Sequence, residues 1–176
     1  MTVLVKGGNN SGKSALAEDI AMNTGDIRRY YLATMKICDD AGRRRVIKHR
    51  KQREGKGFIT MEMEYDIRRF PGMITSPESA TVLLECVSNL VGNEMHDNRA
   101  RDKESLKTPE GRAGFADGIA GDIESLARTV NNLIIVTGTY ENDDKTFDEE
   151  TALYVKLMDM VNERLALKAD RIYDLG

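Results

Sequence analysis

Short apolar runs alternate along the chain with stretches of helical periodicity. Thr2–Lys6 (TVLVK), Arg29–Thr34 (RYYLAT), Gly57–Met61 (GFITM), Thr81–Cys86 (TVLLEC), Leu133–Thr137 (LIIVT) and Arg171–Leu175 (RIYDL) read as strands. TVLLEC and LIIVT are apolar without a break, as strands buried on both faces of a parallel sheet are. Phe115, Ile119, Ile123 and Leu126 recur at helical spacing. So do Tyr154, Leu157, Met158, Val161 and Leu165, behind a Thr146-x-x-Glu149 capping box. Both stripes predict core. Arg99–Arg112 (RARDKESLKTPEGR) is polar, aperiodic and contains a proline, which predicts a mobile loop, either a substrate lid or a plain surface connection. The alternation predicts an α/β fold with a mostly parallel sheet.

The first strand runs into Gly7-Gly8-Asn9-Asn10-Ser11-Gly12-Lys13-Ser14, the spacing of a P-loop, and Ser14–Glu18 then reads as a helix. Backbone N–H groups must approach a phosphate chain closely, so side chains must be absent where they do. Lys13 is expected to place its charge on the terminal phosphates and Ser14 to reach Mg2+. The helix start near Gly12 adds its positive end. A Gly-Asn hairpin turn is the competing reading, and the strand-turn-helix context disfavours it. The expectation becomes a three-layer P-loop NTPase-type (RecA-like) domain, residues 1–176, that binds a nucleoside triphosphate.

Composition narrows the class. A length of 176 residues suits one α/β domain. The net charge of −3 predicts affinity for neither nucleic acid nor membrane. No apolar run approaches a membrane span and no signal peptide precedes the P-loop, so a cytoplasmic protein is expected. Cys38 and Cys86 are too few for a disulfide framework or a Cys-rich zinc site.

Cys38–Arg53 (CDDAGRRRVIKHRKQR) predicts a helix behind an Asp cap, with Arg45, His49 and Arg53 on one face at i, i+4 and i+8. An imidazole flanked by guanidiniums suits a nucleophile for phosphorus. The arginines would hold oxygens and favour the neutral ring. Periodicity alone favours a solvated basic face, and a nucleic-acid patch is a further alternative. Glu85 ends a buried strand, where a Walker-B acid would hold the metal's water shell; a surface acid is its bland reading. His96 has no motif around it and is expected to be exposed.

GGNNSGKS, YLAT and RVIKHRKQR, in that order, resemble the bifunctional adenosylcobinamide kinase/adenosylcobinamide-phosphate guanylyltransferase family of cobalamin biosynthesis. Phe58–Glu62 (FITME), Leu83–Cys86 with Asn93, Asn162–Ala166 and Ala169-Asp170 extend the likeness over nearly the whole chain. The resemblance implies phosphorylation of adenosylcobinamide with ATP or GTP. Transfer of GMP from GTP to that phosphate then follows, through a guanylyl-histidine at His49. It also implies nucleotide contacts from Thr34, Arg45, Arg53, Glu62 and Glu85, Mg2+ held by Ser14 and Glu85, a corrinoid substrate and a homo-oligomer, a trimer in the family. Departures from the family pattern are Asn10 for Arg, Ala41-Gly42 for Glu-Met, and Phe58 for Trp. Gly138–Glu141 also departs, as does Ala152–Lys156, where two arginines and an acid are lost. Glu141, Asp143 and Asp144 are candidates to restore a carboxylate. The runner-up readings are a divergent P-loop kinase or nucleotidyltransferase with another acceptor, and a nucleotide-binding protein that has lost part of its catalysis.

Overall fold

The structure, a computed structural model, describes residues 1–97, 102–140 and 147–176. Each of the six apolar runs is a strand, displaced by no more than one residue at either end. They are β1 (Thr2–Gly7), β2 (Arg28–Ala33), β3 (Phe58–Glu62), β4 (Ala80–Glu85), β5 (Asn132–Gly138) and β6 (Arg171–Asp174). The helices are α1 (Lys13–Met22), α2 (Asp40–Arg53), α3 (Val87–His96), α4 (Pro109–Thr129) and α5 (Glu149–Lys168). The sheet runs β3-β2-β4-β5-β1-β6, and every neighbouring pair is parallel.

Alternation along the strands separates two cores. Leu4, Leu32, Val82, Leu84, Leu133 and Ile135 point to the face covered by α3, α4 and α5. Val3, Val5, Tyr31, Leu83, Ile134 and Val136 point to the other face, against Ala17 and Ala21 of α1. The predicted helical stripes lie in the first core: Phe115, Ile119, Ile123 and Leu126 from α4, and Leu157, Met158, Val161 and Leu165 from α5. Each such side chain withdrawn from water contributes about 1.5–3 kcal/mol. The result is the predicted three-layer α/β fold. Because the sheet is parallel, all strands end on one edge, and ligands of open α/β sheets bind beyond that edge.

Two boundaries differ from expectation. The stretch read as a loop to Arg112 is already a 3-10 turn at Lys103–Lys107, and α4 begins at Pro109. Thr108 caps that helix by accepting from the Gly111 N–H at 3.0 Å, and Pro109 fills the first position, where no N–H is needed. Residues 99–101 of the expected loop lie outside the described residues. Helix α5 is capped by Asp148, which accepts from the Thr151 N–H at 2.7 Å; Thr146 lies outside the described residues. No helix among the described residues is long and apolar enough to cross a membrane.

Candidate active site

The C-terminal edge of the sheet opens into a cavity of about 560 Å3. Its floor is the turn between β1 and α1, lined by Asn9 to Ala15. Gly7 closes the strand, and a Cβ there would lie 2.6 Å from Ser11 Oγ and 3.1 Å from Leu175 Cβ, so the turn needs glycine. Asn10 and Gly12 take positive φ, 60° and 87°, which asparagine and glycine tolerate best. Gly7 and Gly8 shape the turn from behind and do not line the cavity. Lys13 folds back over the turn, its Nζ donating to Gly8 O at 2.7 Å.

Ser14, on the first turn of α1, donates from Oγ to Glu85 Oε1 at the end of β4. The other carboxylate oxygen, Glu85 Oε2, is buried without a hydrogen-bond partner. A hydroxyl and a half-satisfied carboxylate are hard oxygen donors that fit Mg2+, which is held by few protein ligands and completes its shell with water and phosphate oxygens. Among the described residues no cluster of three or more His, Cys, Asp or Glu could form an all-protein metal cage.

The cavity's outer wall is α2. Asp39 caps it, accepting from the Gly42 N–H at 2.6 Å, and Arg50, Lys51 and Arg53 complement the negative end of the helix. The spacing places Arg45, His49 and Arg53 on the cavity together, as expected. Their environments differ. Arg45 is exposed, and His49 is half-buried with Nδ1 enclosed and unpartnered. Arg53 is buried, its guanidinium 3.3 Å above the centroid of the Tyr31 ring. Its Nη2 donates weakly to Thr60 Oγ1 at 3.4 Å, while Nε and Nη1 are buried without partners. Glu62 stands at the rim, paired with Arg50.

Thr34 is placed differently from the expectation that it contacts nucleotide. It is fully buried, its Oγ1 donating to Cys86 O at 2.7 Å and accepting from the Cys86 N–H at 2.8 Å, and it does not line the cavity. Its hydroxyl fastens the turn that delivers Glu85. Asn93 supports the same turn from α3, donating to Thr34 O at 2.7 Å and Glu64 O at 3.0 Å. His96 is exposed, with Nδ1 3.2 Å from Glu150 on the surface.

Another part of the cavity's wall joins Gly138, Thr139 and Tyr140, which lie among the departures from the family pattern, to Ser88, Asn89 and Tyr154, which sequence reasoning did not name as site residues. Ser88, Asn89, Gly138, Thr139, Tyr140 and Tyr154 carry hydroxyls and an amide and no charge. The Tyr140 and Tyr154 hydroxyls meet at 2.8 Å, and Tyr154 donates to Ser88 O at 3.1 Å. Ser88 Oγ accepts from the Gly138 N–H at 2.9 Å, and Asn162 Nδ2 donates to Gly138 O at 2.9 Å. A Cβ at position 138 would approach Ser88 Oγ to 2.8 Å. Burial, with the Tyr140 hydroxyl beside it, raises the Tyr154 phenol well above its usual range, and burial pushes the Cys86 thiol up to about 11. Tyr154 belonged to the stripe read as core, and Tyr140 to the departures. Glu141, Asp143 and Asp144 lie outside the described residues.

Solved structures share the fold. FlaH, a flagellar accessory protein from Methanocaldococcus jannaschii, superposes with a TM-score of 0.51 at 10% identity, over 98% of this chain and 70% of its own. A prototypical ATPase of the type III secretion system of pathogenic bacteria gives 0.59 at 11% identity, over 98% of this chain and half of its own. Identities this low show the fold alone. No curated protein matches the sequence. The family model of cobinamide kinase/cobinamide phosphate guanyltransferase (CobU) matches residues 3–175, and the chain belongs to that family.

Proposed function

We propose that this protein takes GMP from GTP onto His49 and passes it to the phosphate of adenosylcobinamide phosphate. The observation that carries the reading is the placement of His49. It faces the same cavity as the P-loop, half-buried, with an unpartnered Nδ1 and two arginines one turn away on either side. The triphosphate would lie on the N–H groups of Asn9 to Ser14, with Lys13 turning from Gly8 O to the terminal phosphates. An imidazole nitrogen attacks the α-phosphorus, the bond to the bridging oxygen breaks, and pyrophosphate leaves with that oxygen. The acceptor's phosphate oxygen then attacks the same phosphorus and the P–N bond breaks, restoring neutral imidazole. Two displacements replace one, and pyrophosphate departs before the bulky acceptor attacks. In this reading Arg45, exposed on the cavity, and Arg53, whose enclosed Nε and Nη1 lack partners, contact the α-phosphate oxygens. Glu62 at the rim is a further nucleotide contact of this reading. Ser14 and Glu85 would hold Mg2+, which when bound neutralises charge on the phosphate oxygens. The same cavity serves the family's other step, phosphorylation of adenosylcobinamide by ATP or GTP.

Incubation with GTP and Mg2+ followed by intact-mass spectrometry tests this. The expected result is a single GMP adduct, labile to acid and stable to base, with pyrophosphate released. His49→Ala should bind GTP without forming the adduct. An adduct on His49→Ala would exclude this nucleophile.

A further inference from the structure

Helix α2 carries His49 over the cavity, yet none of its apolar side chains is buried. Within Asp40–Arg53 only Gly42 and Arg53 are buried, and Ile47 is 58% exposed. A helix without a buried apolar stripe is not held by hydrophobic packing, so its pose depends on polar anchors. The pair Arg50–Glu62 is more than half exposed on both sides and contributes little. Two other anchors are enclosed. Lys56, just past the helix, places Nζ 2.6 Å from Glu18 Oε2, a fully buried acid on α1 one turn beyond Ser14. Arg53 places its Cζ 3.3 Å from the centroid of Tyr31, whose ring meets Phe58 edge-on at 6.4 Å between centroids and whose hydroxyl faces Glu85.

The stack does more than hold the helix. A guanidinium lying on a ring uses its face for that contact and keeps its edge donors for others. Thr60 takes Nη2 weakly, while Nε and Nη1 remain unpartnered in a buried side chain that lines the cavity. Buried cationic donors without acceptors are costly, and a phosphate in the cavity would supply acceptors to them. His49 stands one helical turn away on the same face. We propose that Tyr31 is the positioning residue for guanylyl transfer: its ring sets the plane of Arg53, which both seats α2 and presents donors to the phosphate that His49 attacks. This rests on the His49 reading and adds to it a residue that touches neither the transferred group nor the nucleophile.

The test uses Tyr31→Leu, Tyr31→Phe and Arg53→Lys in the full chain. Removing the ring should slow formation of the GMP adduct by about tenfold or more, the scale of a desolvated cation–π contact. GTP affinity should change by less than about threefold, since the P-loop still holds the triphosphate. Phenylalanine keeps the ring face and loses only the hydroxyl beside Glu85, so it should form the adduct at least about fivefold faster than Tyr31→Leu, while Arg53→Lys, which keeps charge without the plane, should behave like Tyr31→Leu. Amide hydrogen exchange over residues 46–53 should accelerate in Tyr31→Leu and Arg53→Lys and not in Tyr31→Phe. Wild-type labelling by Tyr31→Leu, or Tyr31→Phe as slow as Tyr31→Leu, would overturn the proposal. Unchanged exchange in α2 would overturn it as well, and that arm stands even if wild type forms no adduct, which would refute the His49 reading alone. Should Tyr31→Leu fail to fold, Arg53→Lys carries the same comparisons.

Discussion

Lys13→Ala separates nucleotide binding from folding at one side chain. In the structure the ammonium rests on Gly8 O at 2.7 Å, a local contact within the turn, and the side chain is only partly buried. Moved onto a phosphate oxygen at about 2.8 Å, a unit charge at an effective dielectric near 20 gains roughly 6 kcal/mol. Losing the Gly8 bond costs about 0.5–1.5 kcal/mol, and ordering the side chain costs up to about 2 kcal/mol. The surplus is about 2.5–5.5 kcal/mol, or roughly 70- to 10,000-fold in Kd. Stability should hardly move, because alanine suits the first turn of α1 and no buried partner is abandoned; a change under about 1 kcal/mol shifts Tm by a few degrees at most. Calorimetric titration with GTP and Mg2+, alongside thermal melts of both proteins, checks both halves. Equal affinities with equal Tm would refute the placement of the triphosphate on this turn.

Two further outcomes follow from the walls of the cavity and from the far side of the sheet. Because, among the described residues, the wall of Ser88, Asn89, Gly138, Thr139, Tyr140 and Tyr154 offers no charge to a transferring phosphoryl group, phosphorylation of adenosylcobinamide should run about 100-fold or more below GMP transfer to its phosphate. Separate assays of the two steps decide it, and matched turnover would refute the argument. Asp26, at the opposite edge of the sheet, is disfavoured as an anion by burial. Donors from Thr81, Asn132 and Asn131 outweigh that and hold its carboxyl below the usual range. Its stabilisation is therefore present above the ordinary carboxylate pKa and lost as pH falls through the lower folded value. Asp26→Ala should cost about 1–2 kcal/mol at pH 7, a Tm loss of a few degrees, and less near pH 3. Equal losses at both pH values would contradict this.

What the sequence made legible is what a single element encodes. Strand runs such as LIIVT declare themselves because burial on both faces leaves no polar position, and β5 is buried at all seven residues. The row Arg45, His49, Arg53 was legible because 3.6 residues per turn fixes which side chains share a face. Where two signals compete within an element, polarity can mislead. Thr108-Pro109 was read as part of a loop although a Thr cap followed by Pro is a helix start. What spacing could not supply is what lies opposite each face. Arg53 was expected to hold phosphate oxygens, and spacing alone did not show that parallel pairing of β2 with β3 brings Tyr31 beneath it. Thr34 sits inside a motif that resembles a nucleotide site, and a motif match fixes its position without fixing which way its hydroxyl turns.

Tyr154 shows the same division from the other side. It falls on the stripe whose remaining members fill the core under α5, and periodicity gave no reason to separate it from them. Its hydroxyl distinguishes it. A half-buried phenol must find partners, and it finds them in Tyr140 and in the Ser88 carbonyl, at the carboxyl edge of the sheet where β5 ends and α3 starts beside the cavity. The apolar members of the stripe need no such partner and stay beneath the sheet's edge. Polar tips on an apolar stripe are thus the positions where a core element turns into a site wall.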